Sequence, residues 1–382
     1  MSTVVAAPAA AQEPDTVPPD PDPPFVEGGI YDKPYLGTLF GRTAIGGYAE
    51  AHGRYERVDG VREEFGFEAR RFNLFTATRV SDFVRIAAEL EIEEGGEEMT
   101  LEFAAIDVTM HPMVTLRGGM ILVPLGRFNL THDSPVNEFT DRPLVSTELL
   151  GVAISQPGLG FLGVVPVGGQ GRVTYEAYAV NGYGSGVVHE SADGTRLAAG
   201  AHNIEDENAS PAAVARTAWS PSDALELGVS GYRGAYNVFH ADGLDFDERR
   251  NVSVGALDLQ AEIAGVRVEG EGAVVRIDVP PALEPIFAQR QRGFYLQGMY
   301  DFGADLIDAM PSSFFSTGVR VEAVDFDADG IGDSIRQAQA GLNFRATSDT
   351  VLKLNYVRGR AFDTFNNPED YAGILFSLAT YF

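Results

Sequence analysis

Residues 84–92 read VRIAAELEI, and their polarity alternates. Val84, Ile86, Ala88, Leu90 and Ile92 fall on one side of an extended chain, while Arg85, Glu89 and Glu91 fall on the other. Successive strand side chains point to opposite faces, so one face of this segment suits hydrocarbon and the other suits water. The pattern returns with Ala338, Ala340, Leu342 and Phe344 against Gln337, Gln339, Asn343 and Arg345. It returns again with Leu352, Leu354 and Tyr356 against Lys353, Asn355 and Arg358, and with Phe315, Val319 and Val321 against Ser316, Arg320 and Glu322. Arg267, Glu269 and Glu271 put three charges in a row on one side, more than a dry protein core holds.

From about residue 41 such stretches repeat, and the connections between them alternate in length. Tight turns are expected at 80–83, 111–113, 168–171, 220–223, 264–265 and 347–349, with a slightly longer one at 308–312. Between them lie longer polar segments at about 58–64, 94–99, 124–149, 183–212, 238–250, 276–292, 326–334 and 361–371. Seven short and eight long connections join sixteen strands. Short turns on one rim and long loops on the other predict a transmembrane antiparallel up-and-down β-barrel over residues 41–382, because backbone groups in lipid must be paired by a closed sheet. A soluble β-sandwich is the competing fold, and the alternation of connection lengths argues against it. Two strands read poorly: Phe65 to Thr78 changes phase midway, and Val252 to Ala261 is mixed.

Composition agrees. Of 382 residues, 45% are hydrophobic, and mean hydropathy is -0.06, too low for a helical membrane protein but ordinary for a barrel, where only alternate strand residues meet lipid. The longest uncharged stretch, 149–171, holds Pro157, Pro166 and seven glycines, which excludes a spanning helix. Cysteine is absent, which removes disulfides, thiolate metal sites and thiol nucleophiles. Twenty-eight basic against fifty-five acidic residues give a net charge of -27, which opposes nucleic-acid binding. Residues 1–12 are expected to be the remnant of a secretory signal or a disordered tail. Residues 13–40 begin with EPDTVPPDPDPP and are expected to be a proline-rich periplasmic segment.

The chain ends YAGILFSLATYF (371–382), with Ala372, Ile374, Phe376, Leu378 and Phe382 on one face. Outer-membrane barrels resemble this closely, since their last strand carries a terminal aromatic recognised during assembly; Phe382 is then the handle for the barrel-assembly machinery. GRFNLTHDSPVNEF (126–139), DRPLV (141–145) and LNF…LKLNYVRG (342–359) resemble the phosphate-selective porin O and P family. In that family a lipid-facing strand such as LRGGMILVPLG (116–126) leads into a long third loop. The resemblance implies a Gram-negative outer-membrane porin embedded in lipid and lipopolysaccharide, a homotrimer of sixteen-stranded diffusion channels whose third loop, about 124–149, narrows the pore. Carried over, it makes Arg127, Asn129, His132, Asp133, Asp141 and Arg142 the constriction residues; fastening the loop to the wall is their plainer role. Alternation makes Arg85, Glu89, Glu91, Arg117, Arg267, Glu269, Glu271, Arg320, Glu322 and Lys353 pore-lining. Selectivity for anions such as phosphate requires rings of Arg and Lys, whereas these positions carry both signs.

Asp325, Asp327, Asp329 and Asp333 follow D-x-D-x-D-G-x-x-D, the opening of a calcium loop, but Arg336 stands where a bidentate Glu is expected. A solvated acidic hairpin tip is the plainer reading, and no other cofactor is indicated. His132, Asp133 and Ser134 supply hydrolase residue types, but consecutive residues that alternate in direction do not converge, so no enzyme is expected. A non-channel barrel, plugged by its loops and serving adhesion or envelope structure, is the main alternative; a plugged TonB-type transporter would need more strands than this length provides.

Overall fold

The computed structural model describes residues 29–30, 32–34, 42–151, 153–189, 194–245, 247–304 and 306–382. The expected signal remnant, and all of 13–40 except those five residues, lie outside the described residues.

Sixteen strands form one closed antiparallel barrel. In chain order they are β1 Thr43–Val58, β2 Val61–Arg79, β3 Val84–Glu93, β4 Glu98–His111, β5 Val114–Leu122, β6 Ser155–Pro166, β7 Arg172–Val180 and β8 Ala212–Ser222. There follow β9 Leu225–Ala235, β10 Asn251–Ile263, β11 Val266–Ile277, β12 Arg290–Phe302, β13 Phe314–Asp325, β14 Ser334–Arg345, β15 Thr350–Phe362 and β16 Pro368–Tyr381. Each strand pairs with the next, and β16 returns to β1 from Tyr48 opposite Tyr381 to Val58 opposite Tyr371. Closure leaves no sheet edge, which is what lipid demands of a spanning sheet. A small hairpin, His240–Ala241 with Leu244–Asp245, decorates one long connection.

The long connections fall on one rim, but three of them contract, the one expected at 361–371 to residues 363–367. Asp59 and Gly60 alone join β1 to β2, both at positive φ (48° and 80°), the twist-matched geometry of a two-residue hairpin. Residues 94–97 join β3 to β4 through a single turn. VREEF reads as a loop because it is charged, yet it pairs on from Val58 opposite Val61; above a lipid belt both strand faces are wet, so polarity stops reporting strand structure. The phase change in Phe65–Thr78 has a similarly local cause. Glu50 pairs with Arg71 and Ala51 with Ala69, leaving Arg70 as the extra residue of a bulge that flips the faces.

Outward positions such as Val319, Val321, Leu342, Leu354, Tyr356, Ile374 and Phe376 are exposed. Phe302, Phe315 and Phe344 pack side by side toward the short-turn rim, with ring centroids 5.7 and 5.0 Å apart. An apolar face of this extent would aggregate in water and is covered by lipid in a transmembrane barrel.

The interior differs from a uniformly charged lining. Val252, Val254 and Ala256 of β10 and Ala273, Val275 and Ile277 of β11 are buried inward, beneath Leu149, Leu150, Val187 and Leu197 of the two longest connections. This explains the mixed pattern of Val252–Ala261, whose inward face is apolar where loops cover it and acidic at Asp258.

The seam closes on Phe382, whose N–H donates to the Gly47 carbonyl at 2.9 Å and whose ring stacks on Phe72 at 5.4 Å. A Cβ on Gly47 would stand 2.3 Å from the Asn73 carbonyl, so the approach requires glycine. Phe382→Ala removes the stack, a loss of about 1 kcal/mol. The temperature at which the folded, fast-migrating band converts to the unfolded one in detergent electrophoresis is expected to fall; an unchanged temperature would assign the seam to backbone pairing alone.

Candidate functional site

The connection between β5 and β6, residues 123–154, crosses the interior and bonds to strands on opposite sides of it. Its entry depends on Gly126 at φ 73°, where a Cβ would lie 2.2 Å from the Glu271 carboxylate. The backbone N–H of Gly126 donates to Ser230 Oγ at 2.9 Å and that of Phe128 to Glu271 at 3.1 Å. Asn129 clasps the two ends of the loop, donating to the Val123 and Ile154 carbonyls and accepting the Ile154 N–H at 2.9 Å.

Beyond the clasp the loop is tied down by charge. Lys33 donates to Glu89 and, at 2.8 and 2.9 Å, to both oxygens of Asp133, which also accepts from Tyr381. Residues of the N-terminal segment therefore lie inside the barrel: Ile30 is buried with Ala87, Phe103, Leu122 and Leu130. Burial alone would lower the Lys33 pKa, but the carboxylates of Asp133 and Glu89 outweigh it and hold the ammonium above the ordinary lysine value. His132 faces Glu102 through Nε2 and the Asn129 carbonyl through Nδ1. Ser134 Oγ donates to Glu50 at 2.5 Å and its carbonyl accepts from Lys353 at 2.8 Å. Glu138 meets Arg267 at 2.5 Å and Arg345 at 3.3 Å. Arg320 donates to the Asp141 carbonyl at 2.9 Å, and Glu322 accepts the Leu144 N–H at 2.7 Å.

The ten expected wall residues stand on the inward side of their strands. Seven of them, Glu89, Glu91, Arg117, Glu271, Arg320, Glu322 and Lys353, are buried rather than bathed. Arg117 is held bidentate by Asp107 at 2.8 Å, Glu269 accepts from Gln297 at 2.9 Å, and Arg267 also binds Asp301. Arg85 faces Asp107 across the β3–β4 pair. Arg358, grouped above with the inward side, shares the outward parity of Leu354 and Tyr356 and is exposed.

Among the six loop candidates, Arg127 turns to Glu226 at 3.6 Å, and Asn129, His132 and Asp133 are fully engaged in fastening. Asp141 and Arg142 border a polar cleft of about 390 Å³ between the loop and β1, β2 and β14. Its wall is His52, Arg54, Glu56, Glu68, Arg70 and Arg71, with Glu148 from the loop. Arg54 reaches Asp141 at 2.5 Å, and Arg142 stands 3.9 Å from Glu91. The sequence reading missed this wall, although His52, Arg54 and Glu56 lie at spacing two; Arg70 was hidden by the bulge.

The acidic run of the β13–β14 connection is not gathered. Asp325 pairs with Arg292 at 2.9 Å, Asp329 with Arg290 and Asp333 with Arg196 at 2.6 Å, while Asp327 accepts the Asp329 N–H. Among the described residues, no group of three or more His, Asp or Glu is arranged to hold a metal ion.

Comparison with known proteins follows the geometry. No family model matches the chain. An uncharacterised protein of Aquifex aeolicus (strain VF5) is 29% identical over 281 residues, 68% of this chain and 61% of that protein; the match thus spans about three fifths of the relative's length. Solved structures cover far more. The outer-membrane channel DcaP of Acinetobacter baumannii superposes on 90% of this chain and 99% of its own, with a TM-score of 0.58 at 11% identity. An anion-selective porin from Comamonas acidovorans covers 89% and 99%, with a TM-score of 0.56 at 11% identity. OmpT of Vibrio cholerae, in a trimer form, covers 89% and 100%, with 0.54 at 10%. The chain carries the porin fold. At these identities the likeness speaks for architecture alone.

Glu138 offers a pH test of the loop's fastening. Burial pushes its carboxyl pKa up, but Arg345 and Arg267 outweigh burial and hold it below the usual carboxylate value. A carboxyl held low stabilises above its unfolded pKa, and the contribution disappears as pH falls through the depressed value. Heat-conversion temperature is expected to drop on acidification, and Glu138→Gln, which leaves the buried Arg345 short of a counter-charge at a cost of about 3 kcal/mol while the partly exposed Arg267 keeps Asp301, to flatten that dependence. An identical pH profile in the variant would show that Glu138 does not fasten the loop.

Proposed function

We propose that this chain is an outer-membrane porin of a Gram-negative bacterium through which small hydrophilic solutes diffuse passively along an off-centre path. The observation that carries this reading is the asymmetry of the interior. Loops and apolar wall fill the β7–β13 side, whereas the β1–β2 side keeps a cleft bordered by charged side chains. The loop 123–154 acts as the constriction, and Asp141 and Arg142 are its solute-facing residues. The other loop candidates hold it in place. A homotrimer, as in the trimer form of OmpT, is the assembly we infer.

The resemblance to the phosphate-selective porins adds the finer proposal of an anion preference. Arg54, Arg70, Arg71 and Arg142 around the cleft support it, and Glu56, Glu68, Asp141 and Glu148 beside them limit it to a weak preference. A specific observation favours the second reading, a non-channel barrel: the apolar cluster inside the long-loop half is what a plug requires. A hydrolase has less support, since both ring nitrogens of His132 face acceptors other than Asp133 and Ser134.

Planar-bilayer recording separates the first two. Stepwise openings are expected from the folded protein, and a silent, correctly folded barrel would establish the plug. In a salt gradient, Arg54→Glu with Arg142→Glu is expected to move the reversal potential toward cations; an unmoved potential would remove the cleft from the path.

A further inference from the structure

Three arginine pairs stand directly opposite each other across neighbouring strands on the outward face: Arg276 with Arg290, Arg336 with Arg360, and Arg57 with Arg62. All six residues are exposed, and all lie toward the rim of long connections. Like charges directly opposite destabilise a sheet. Asp329 meets Arg290 and Asp370 meets Arg360, but Arg276, Arg336, Arg57 and Arg62 have no ion pair among the described residues, and such pairing is costly unless a further anion sits between the guanidiniums. A fourth pair, Arg79 with Arg85 at the opposite rim, differs in lying on the inward face, where Asp107 stands across from Arg85.

The arginines belong to one surface. Arg358 lies opposite Ala338 on β14 and Ala372 on β16, and Ala372 in turn lies opposite Arg57. Arg292 and Arg360 are braced by Asp325 at 2.9 Å and Asp370 at 2.5 Å. Arg336 stands between them with no ion pair among the described residues. Beneath them runs a groove of about 1030 Å³ with Leu257, Val274, Phe294 and Val321 along it and small Gly272 and Ala338 in its floor.

Height identifies what meets this surface. From the packed ring of Phe302 up to Arg292 is ten residues of β12. At about 3.3 Å per residue and a tilt of about 40°, that is a rise of about 25 Å, the thickness of the apolar band of an outer-membrane barrel. The arginines therefore stand where headgroups begin, on the side of the long loops, with hydrocarbon directly below.

We propose that this face binds a phosphorylated lipid of the outer leaflet, its phosphates held between Arg292, Arg336, Arg358 and Arg360 and an acyl chain lying in the groove. Planar guanidiniums hold phosphate oxygens bidentately, and two phosphates on one headgroup would reach the opposed Arg336 and Arg360 and their neighbours Arg292 and Arg358 at once. The proposal rests on the outer-membrane reading of the fold but not on the pore being open.

The full-length barrel in zwitterionic detergent is titrated with a multi-acylated glucosamine disaccharide carrying two phosphates, with the same lipid dephosphorylated, and with inorganic phosphate, binding being followed by native mass spectrometry. The bis-phosphorylated lipid is expected to bind, the other two not to, and the triple variant Arg292→Gln, Arg336→Gln, Arg358→Gln to bind roughly tenfold more weakly. Arg172→Gln, at the short-turn rim, should bind as the parent does. Heat-modifiable migration and conductance of the triple variant should match the parent, so that loss of lipid is read apart from loss of the barrel or of the pore. Equal binding of the dephosphorylated lipid, competition by inorganic phosphate at equal concentration, or undiminished binding by the triple variant would each overturn the proposal.

Discussion

A carboxylate on the inner wall of a closed sheet must find a partner, and in this barrel the partners come from the wall's own arginines, from the loop 123–154 and from Lys33. Glu89 takes Lys33, Glu102 takes His132, Asp107 takes Arg117, and Asp258 with Glu226 takes Arg216 at 2.6 and 3.0 Å. Once charges are buried in pairs, breaking one pair costs more than leaving the network whole. The loop is consequently held by many independent ties, and the alternating charge that reads as a wet lining becomes largely an anchoring surface.

The second half of the interior obeys a different rule. Where β7–β13 approach the long-loop rim, apolar wall residues and apolar loop residues remove one another from water, as in a soluble core. A barrel built this way has two compartments at one height, one packed and one polar. Only the polar one, beside β1 and β2, is suited to hydrated solutes, which is why the proposed path is eccentric.

The closed barrel was legible because lipid and water impose a period of two on any strand between them. Val84–Ile92 and Tyr371–Phe382 show their lipid face at alternate positions, although Ala87, Leu375 and Ala379 on the inward side are apolar, and sixteen strands follow from the alternation of connections. Legibility failed where the environment was not lipid against water. VREEF stands above the belt with water on both faces, Arg70 adds one residue and reverses the phase, and Val252–Ala256 face a loop that brings its own hydrocarbon. The site was half legible: Asp141 and Arg142 border the cleft, but partnership is not written in residue type. Nothing in the sequence marked Asn129 as the clasp of its own loop, or Asp133 as the seat of Lys33 a hundred residues earlier. Arg358 shares the parity of Leu354 and Tyr356 rather than that of Lys353 and Asn355, which puts it on the outer face, where the lipid surface is proposed.

The division of the interior into a dry and a wet compartment can be measured without removing background thiols, since the chain has no cysteine. Arg54→Cys and Val254→Cys both place a thiol on the inward side of the wall, the first in the cleft and the second beneath the loops. In the folded protein a charged, membrane-impermeant thiol reagent should modify the cysteine at 54 rapidly and leave that at 254 intact until unfolding. Equal reactivity at both positions would mean an evenly water-filled lumen, and protection of both would mean a lumen closed throughout; either result contradicts the account.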